Sequence, residues 1–308
     1  MTWHWINPKP QPSHASMAMG PRRWKKVGFF CLALLGLWLG LTPTLRQAGA
    51  QDSAAAALPN ETTVTIFHTN DFHCTFAQTE AVLRTLRRAR AQYPASLLFD
   101  AGDMFESKVT AVLQARGKPV VQFMNAAGYD GMTLGDNAFD GFTLDDLRAC
   151  MDAFRFPVLS ANLFTKNDGA PLTLPYWIYH IQGAVIGVVG IYDEESLALA
   201  GIQVGDPVYA LQHYAKHLRA RVDCLAVLSH SGLASDRKLA SAVSGLDLII
   251  GGSSQDALQQ PVRVGTTSIV QAGAYGYYVG AVQLRIDTRR HRVIECQGWL
   301  IPTQGDGE

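Results

Sequence analysis

The chain has 308 residues, of which 48% are hydrophobic and 17% charged, so it can bury a sizeable core and does not have a disordered composition. Residues 1–50 contain six basic residues and no acidic one, which leaves residues 51–308 with 20 basic and 26 acidic residues, a net charge of −6. An acidic chain offers no electrostatic surface for nucleic acid, so we expect no nucleic-acid partner.

The N-terminus has the features of a targeting segment. Basic residues at 22–26 precede an almost wholly apolar run at 27–45, and the Ala-Gly-Ala sequence at 48–50 matches a signal-peptide cleavage pattern. The alternative is an uncleaved N-terminal anchor in the membrane, because the apolar run approaches spanning length. Either reading predicts that the remainder of the chain lies in the periplasm or another extracytoplasmic compartment.

Strands and helices are predicted to alternate along the rest of the chain. The first half is predicted as strand 63–68, helix 80–92, strand 96–100, helix 109–127 with a break at Pro119, strand 131–134, helix 143–153 capped by Thr143, and strand 158–161. The second half is predicted as strand 184–191, helix 208–221, strand 224–229, helix 235–243, strand 246–250 and β structure over 262–294. This order predicts a layered α/β domain whose functional loops follow the strand ends.

The predicted organisation has three parts. Residues 1–50 form the signal peptide or anchor, residues 51–60 are an alanine-rich linker, and residues 61–308 form one domain. No internal repeat is present in the sequence.

Polar residues cluster directly after five of the predicted strands. The clusters lie at 68–73, 100–103, 135–140, 229–232 and 251–256. Taken singly, their Asp-Gly and Gly-Asp pairs are most often plain turns. Five in order are more specific, because they bring carboxylates, imidazoles and amides to one edge of the sheets. Asp and His with open coordination positions suit Zn, Mn or Fe.

These ordered motifs resemble those of the 5′-nucleotidase/UDP-sugar hydrolase branch of the calcineurin-like metallophosphoesterases. The family motifs are Thr-Asn-Asp-x-His, Gly-Asp, Gly-Asn-His-Glu-Phe-Asp, Ser-His-x-Gly and Gly-Gly-His-Ser-His/Gln, and the resemblance covers about residues 61–290. It implies a four-layer α-β-β-α sandwich. It also implies hydrolysis of a small, anionic phosphate ester by metal-activated water.

The resemblance assigns side chains of this chain to two metal positions. The first would be held by Asp71, His73, Asp103 and Gln255. The second would share Asp103 and add Asp136, His230 and Ser253. The family has Asn at position 136 and His at position 253, so Asp136 remains an oxygen ligand and Ser253 is a degraded ligand position. We expect one or two divalent ions (Mn, Zn, Fe or Ca), with the extra oxygen ligands shifting preference from zinc towards manganese or calcium.

The family's catalytic His and its partner Asp fall at Asn137 and Asp140. Asn137 cannot transfer a proton near neutral pH, but it can hydrogen-bond a phosphate oxygen, and Asp140 is expected to orient it. The loss of a positioned acid typically costs about 10²–10⁴-fold in rate. The resemblance therefore implies reduced or altered activity, biased towards esters with good leaving groups.

Two further features leave alternatives open. Cys74 follows His73 where the family has Gly, and we expect a packed or disulfide-bonded thiol there. The spacing of the cysteines predicts no pairing.

Three tyrosines at positions 275, 277 and 278 could line a pocket, although alternating aromatics in a β segment are more often packing residues. The family's nucleobase-binding C-terminal domain is not among the 308 residues, so nucleotide specificity is not implied.

Three functions remain open on the sequence. The leading one is an exported metal-dependent phosphoesterase with a small anionic substrate. The second is a non-catalytic binding module on the same fold, favoured by the missing imidazoles at Asn137 and Ser253. The third is a hydrolase of a sulfur-bearing anion, by analogy with a thiosulfate-releasing branch of the family. No feature of the sequence identifies a protein partner.

Overall fold

Two six-stranded sheets form the centre of the protein, as seen in a computed structural model that describes residues 60–193 and 201–303. The first sheet has the order β14 (Arg292–Pro302), β13 (Tyr278–Asp287), β1 (Glu61–Thr69), β2 (Ser96–Asp100), β3 (Gly131–Thr133) and β4 (Val158–Leu159). The second has the order β11 (Val262–Val264), β12 (Thr267–Val270), β10 (Leu248–Gly251), β9 (Cys224–His230), β7 (Ala184–Tyr192) and β6 (Tyr176–Ile181). A separate antiparallel pair joins β5 (Leu163–Thr165) to β8 (Ile202–Val204).

Helices cover the outer face of each sheet. They are α1 (Phe76–Gln92), α2 (Thr110–Gln114), α3 (Lys118–Ala127), α4 (Leu144–Ala153), α5 (Pro207–Leu218) and α6 (Gly232–Ala242). Buried residues of α1, α3 and α4, among them Leu86, Met124 and Leu147, form one core with the first sheet. Helix α5 contacts β7, and α6 contacts β10 and β12, so these two helices lie on the second sheet.

A second core fills the space between the two sheets. Val64 and Ile66 of β1 belong to it, whereas Phe67 belongs to the core under the helices. This alternation follows from the period of two along a strand, which sends successive side chains to opposite faces. The facing sheet contributes Val188 and Leu228. The layers are therefore helix, sheet, sheet and helix, which confirms the predicted fold class.

Local signals set several of the helix ends. Thr143 caps α4, because its hydroxyl accepts a hydrogen bond from the Asp146 backbone and the Asp146 carboxylate accepts one from the Thr143 backbone. The predicted helix over 109–127 is two helices, and the break falls before Pro119. Gly117 adopts a left-handed conformation between them, with φ of 76°, and Pro119 occupies the first turn of α3, where a missing N–H costs little.

The polar clusters lie at one edge of the sheets because the strands that precede them run in the same direction within each sheet. Strands β1, β2 and β3 run parallel to one another, as do β9 and β10 in the second sheet. Their carboxyl ends lead directly into the five clusters. The loop after β10 also approaches the first sheet, because a Cβ atom added at Gly252 would lie 2.6 Å from the Ala101 carbonyl oxygen.

All described residues belong to one structural unit, Leu58–Glu308. The signal peptide or anchor at 1–50 falls outside the described residues, as does the linker except for Asn60, so the three-part division stays a prediction. Within 60–193 and 201–303, no helix is long and apolar enough to cross a membrane.

Candidate metal centre

The loops after β1 and β2 are joined by backbone hydrogen bonds. The Asp71 amide donates to the Gly102 carbonyl at 2.9 Å, and the His73 amide donates to the Asp103 carbonyl at 2.9 Å. These bonds hold the side chains of both loops at one point of the sheet edge. The position of the site therefore follows from the pairing of the two parallel strands.

Left-handed backbone conformations are concentrated at the same edge. The non-glycine residues with positive φ there are Asp71 (52°), His73 (48°), Cys74 (49°), Asp103 (56°), Ser253 (72°), Gln255 (58°) and Tyr275 (57°). Each such conformation costs on the order of 1–3 kcal/mol, and such residues cluster at functional sites. These seven residues mark this edge as a candidate functional site.

Glycines make room for the functional side chains. At Gly102, with φ of 100°, an added Cβ atom would lie 2.5 Å from Nδ1 of His230. At Gly135 an added Cβ atom would overlap Oδ1 of Asp103. The glycines of the clusters thus let the backbone approach the carboxylates and imidazoles more closely than any other residue would.

The four side chains predicted for the first metal position come together around His73. Its Nε2 atom lies 3.9 Å from Oδ1 of Asp71 and 4.0 Å from Oδ2 of Asp103. The Gln255 side-chain amide nitrogen is 3.1 Å from the same His73 atom. Rotating this amide by about 180°, an assignment that hydrogen bonds alone decide, would direct its oxygen inward as a ligand.

The side chains predicted for the second position meet at His230, which is fully buried. Its Nε2 atom lies 3.3 Å from Oδ1 of Asp136 and 3.6 Å from Oδ2 of Asp103. Its Nδ1 atom lies 2.9 Å from the Ala101 carbonyl oxygen and donates to it. That bond leaves Nε2 as the atom that can bind a cation. Ligand atoms of Asp71, Asp103 and His230 all lie within 4.8 Å of one another.

Ser253 contributes its backbone to this centre. Its amide donates to Asp71, with distances of 3.1 and 3.0 Å to the two carboxylate oxygens. The degraded ligand position therefore orients a carboxylate that is assigned to the first metal.

Asn137 lies at the centre of the site, whereas Asp140 pairs with a residue that was not assigned to it. The Asn137 side chain donates to Oδ2 of Asp103 at 2.8 Å and lies 3.1 Å from Nδ1 of His73. Asp140 instead accepts a hydrogen bond from the Ser107 hydroxyl at 2.7 Å. This geometry differs from the expectation that Asp140 orients Asn137. Asp103 holds Asn137 instead, because it accepts from both the side-chain amide at 2.8 Å and the backbone amide at 3.0 Å.

Glu106 is a site residue that the sequence motifs did not indicate. Its Oε2 atom lies 3.4 Å from Nδ1 of His73, and both side chains are about nine-tenths buried, with 12% exposed. Glu106 lies in the same loop as Asp103. Its proximity to His73 depends on the left-handed turns of both loops, and no residue pattern in the sequence encodes that.

The charge balance of the site favours a cation. Burial raises the pKa of Asp71, and burial raises the pKa of Asp103 to about 8. Burial alone would lower the pKa of His230, but its hydrogen bond with Asp136 and the charge of Asp103 outweigh that effect and raise this pKa to about 10. A proton on His230 thus balances the carboxylates. A divalent cation would displace that proton and balance them more fully.

Cys74 is a packed thiol beside the site. It donates to the Met104 carbonyl at 3.0 Å, and burial raises the pKa of its thiol to about 12. All four cysteines of the described residues are free and buried. A thiol that stays protonated is a poor metal ligand, which supports the packing interpretation of Cys74.

Comparisons with known proteins agree with this fold. The chain is 30% identical to rat (Rattus norvegicus) 5′-nucleotidase over 270 residues, which cover 73% of this chain and 47% of the relative. The solved calcineurin-like phosphoesterase YfkN of Bacillus subtilis has a TM-score of 0.66 and 20% identity, covering 80% of this chain and 92% of that one. The solved structure of the sulfate thiohydrolase SoxB of Thermus thermophilus has a TM-score of 0.70 and 21% identity, and the match covers 78% of this chain and 56% of that one. No family model matches the chain.

The fold is that of the calcineurin-like phosphoesterases, and the homologues of this chain are named 5′-nucleotidase and metallophosphoesterase. The chain spans about half the length of the curated relatives it matches. At 20–21% identity, the likeness to the two solved structures concerns the fold alone.

Proposed function

We propose that this chain is a metal-dependent phosphoesterase of the 5′-nucleotidase type that hydrolyses a small, anionic phosphate ester. The convergence of Asp71, Asp103 and His230, with ligand atoms within 4.8 Å of one another, is the observation that supports it most strongly. Carboxylate and imidazole donors in one buried cluster suit Mn, Zn or Fe. Metals bound there would polarise the phosphoryl oxygens and supply the nucleophile near neutral pH.

The protein's own residues have distinct tasks in this proposal. Asp71, His73, Asp103 and Gln255 would hold the first ion, and Asp136 and His230, with Asp103 shared, would hold the second. The Asn137 amide would donate a hydrogen bond to a phosphoryl oxygen and so orient the ester. Asn137 cannot protonate the leaving group, so esters whose leaving groups are stable as anions would react fastest.

Hydrolysis of 4-nitrophenyl phosphate by the manganese-loaded protein tests this function. The wild type is expected to release phosphate, and chelation is expected to stop the release. Asp103→Asn should abolish it, because this carboxylate is assigned to both ions, whereas Asp152→Asn, at an exposed position of α4, should behave as the wild type. An Asp103→Asn protein with the wild-type rate would contradict the proposal.

A non-catalytic binding module is the second candidate. The absence of an imidazole at Asn137 and at Ser253 favours it. In that case the protein would bind manganese and inorganic phosphate but release no product from any ester. Phosphate binding measured by calorimetry, together with a zero rate at full metal occupancy, would select this candidate over the enzyme.

We further propose that residues 1–50 export the domain, with or without cleavage after Ala50. The basic residues followed by an apolar run support this proposal. Cell fractionation and N-terminal sequencing test it: cleavage would start the mature chain at Gln51, and a cytoplasmic protein with an intact N-terminus would contradict export.

A further inference from the structure

Two exposed tyrosines lie beside the candidate metal centre. Tyr275 is 41% exposed and Tyr277 is 48% exposed, although large aromatic side chains gain most from burial. Their ring centroids are 6.4 Å apart, in an edge-to-face arrangement. The Tyr275 ring also lies 5.3 Å from the imidazole of His73, so the aromatic surface begins at a residue assigned to the metal.

The backbone holds these rings in place. The Tyr275 amide donates to the Asp71 carbonyl at 2.8 Å, and Tyr275 itself has a left-handed conformation with φ of 57°. Next to it, an added Cβ atom at Gly276 would lie 2.5 Å from the Phe72 ring. The Thr303 amide donates to the Tyr277 carbonyl at 3.0 Å. A strained loop fixed at several points presents its rings without further ordering, which favours ligand binding.

We propose that Tyr275 and Tyr277 form an aromatic subsite for the leaving group of the substrate, and that the preferred leaving group carries a planar aryl or heteroaryl ring. In such an ester one bridging oxygen separates the ring from phosphorus. A phosphoryl group at the metal ligands would therefore bring the ring close to Tyr275, whose own ring lies 5.3 Å from that of His73. The third tyrosine of the segment, Tyr278, starts β13 and is partly buried, so it is not part of the exposed surface.

This inference rests on the proposed function, because it requires a phosphoryl group at the metal ligands. It also agrees with the chemistry of Asn137. A site without a proton donor favours leaving groups that are stable as anions, and aryloxides are more stable anions than alkoxides. Ring recognition and leaving-group preference would then select the same substrate class.

Binding of two unreactive phosphonates to the manganese-loaded protein tests the subsite. By calorimetry, phenylphosphonate should bind the wild type about tenfold more tightly than methylphosphonate, the amount expected from a good aromatic contact. Tyr275→Ala should reduce this preference to about twofold or less and leave methylphosphonate affinity unchanged, whereas Tyr275→Phe should keep it. Tyr209→Ala, at an exposed tyrosine of α5, is the matched control and should keep it as well.

The outcomes separate the two proposals. Equal wild-type affinities for both phosphonates, or equal weakening of both by Tyr275→Ala, would overturn the aromatic subsite and leave the phosphoesterase proposal intact. A preserved phenyl preference without any ester hydrolysis would show that the tyrosines bind an aromatic ring, but it would contradict both catalysis and their role at a leaving group. Failure of both phosphonates to bind the metal-loaded protein would contradict both proposals.

Discussion

The carboxylate of Glu106 lies 3.4 Å from Nδ1 of His73, while Nε2 of the same ring faces Asp71 and Asp103. The second neighbour of Nδ1 is the Asn137 amide at 3.1 Å. With the proton on Nδ1, that N–H would face the Glu106 carboxylate, and the Nε2 lone pair would be free to bind a cation. With the proton on Nε2, the Nδ1 lone pair would accept a hydrogen bond from the Asn137 amide, and Nε2 could not bind a metal ion. Glu106 therefore favours the tautomer that a metal ligand requires.

We expect Glu106→Gln to weaken manganese binding by about 10- to 100-fold, the usual effect of losing the partner of a metal-bound histidine. The dissociation constant can be measured by calorimetry, independently of any activity. Glu295→Gln, at an exposed carboxylate on β14, serves as the control. Unchanged affinity in Glu106→Gln would show that Asn137 and the backbone suffice to orient His73.

Manganese should support faster hydrolysis of 4-nitrophenyl phosphate than zinc does. The second position offers the Asp136 carboxylate where the family motif has an amide, and Ser253 where it has an imidazole. Exchange of nitrogen for oxygen donors favours harder cations. Initial rates at matched metal occupancy provide the measurement, and an equal or higher rate with zinc would count against this assignment of the second position.

Restoring both missing imidazoles should increase the phosphatase rate. We expect Asn137→His combined with Ser253→His to raise it by about 10²-fold or more, through proton transfer and a completed second metal position. Each single change should gain less, because the acid and the metal act on the same transition state and their effects couple.

The double variant is informative only with full metal occupancy, confirmed by elemental analysis. An unchanged rate under that condition would show that the pocket has diverged beyond these two positions. The binding module would then become the leading function.

The buried His68 should make stability depend on pH. Burial lowers the pKa of His68 from its ordinary 6.5 to about 3, and its ring packs against Gly280 on the neighbouring strand. Below pH 6.5 the unfolded chain takes up a proton that the folded protein excludes. The free energy of unfolding therefore falls by up to about 1.4 kcal/mol per pH unit as the pH drops from 6 towards 3.

His68→Leu should remove this contribution to the pH dependence of the free energy of unfolding. Urea unfolding between pH 6 and pH 4.5 should show the wild type losing stability faster than the variant, by about 1.4 kcal/mol per pH unit. A difference between the two proteins that does not change with pH would mean that His68 titrates normally in the folded state.

Much of this fold was predictable because its signals are local. The alternation of β1, the short apolar run of β2 and the cap at Thr143 correctly placed two strands and a helix start. The order of the clusters after strands predicted that they lie at one edge of the sheets. Strands β5, β6 and β8 were missed. For β5 and β8 the reason is their length, because three residues carry too little pattern to detect.

The details of the site were less predictable, because they depend on contacts between distant loops. Glu106 reaches His73 through left-handed turns that no propensity indicates. Asp140 pairs with the Ser107 hydroxyl, while the Asn137 amide pairs with Asp103. The motifs therefore predicted that Asp71, Asp103 and His230 lie together, but they missed Glu106 and gave Asp140 a different partner.

Anomalous diffraction from crystals of the manganese-loaded protein shows directly whether the buried carboxylates and His230 bind a metal ion. We expect a manganese peak among Asp71, Asp103 and His230, with carboxylate oxygens about 2.0–2.3 Å from the ion. An ordered cluster of these three side chains with no peak between them, at a manganese concentration far above the dissociation constant measured in solution, would contradict it.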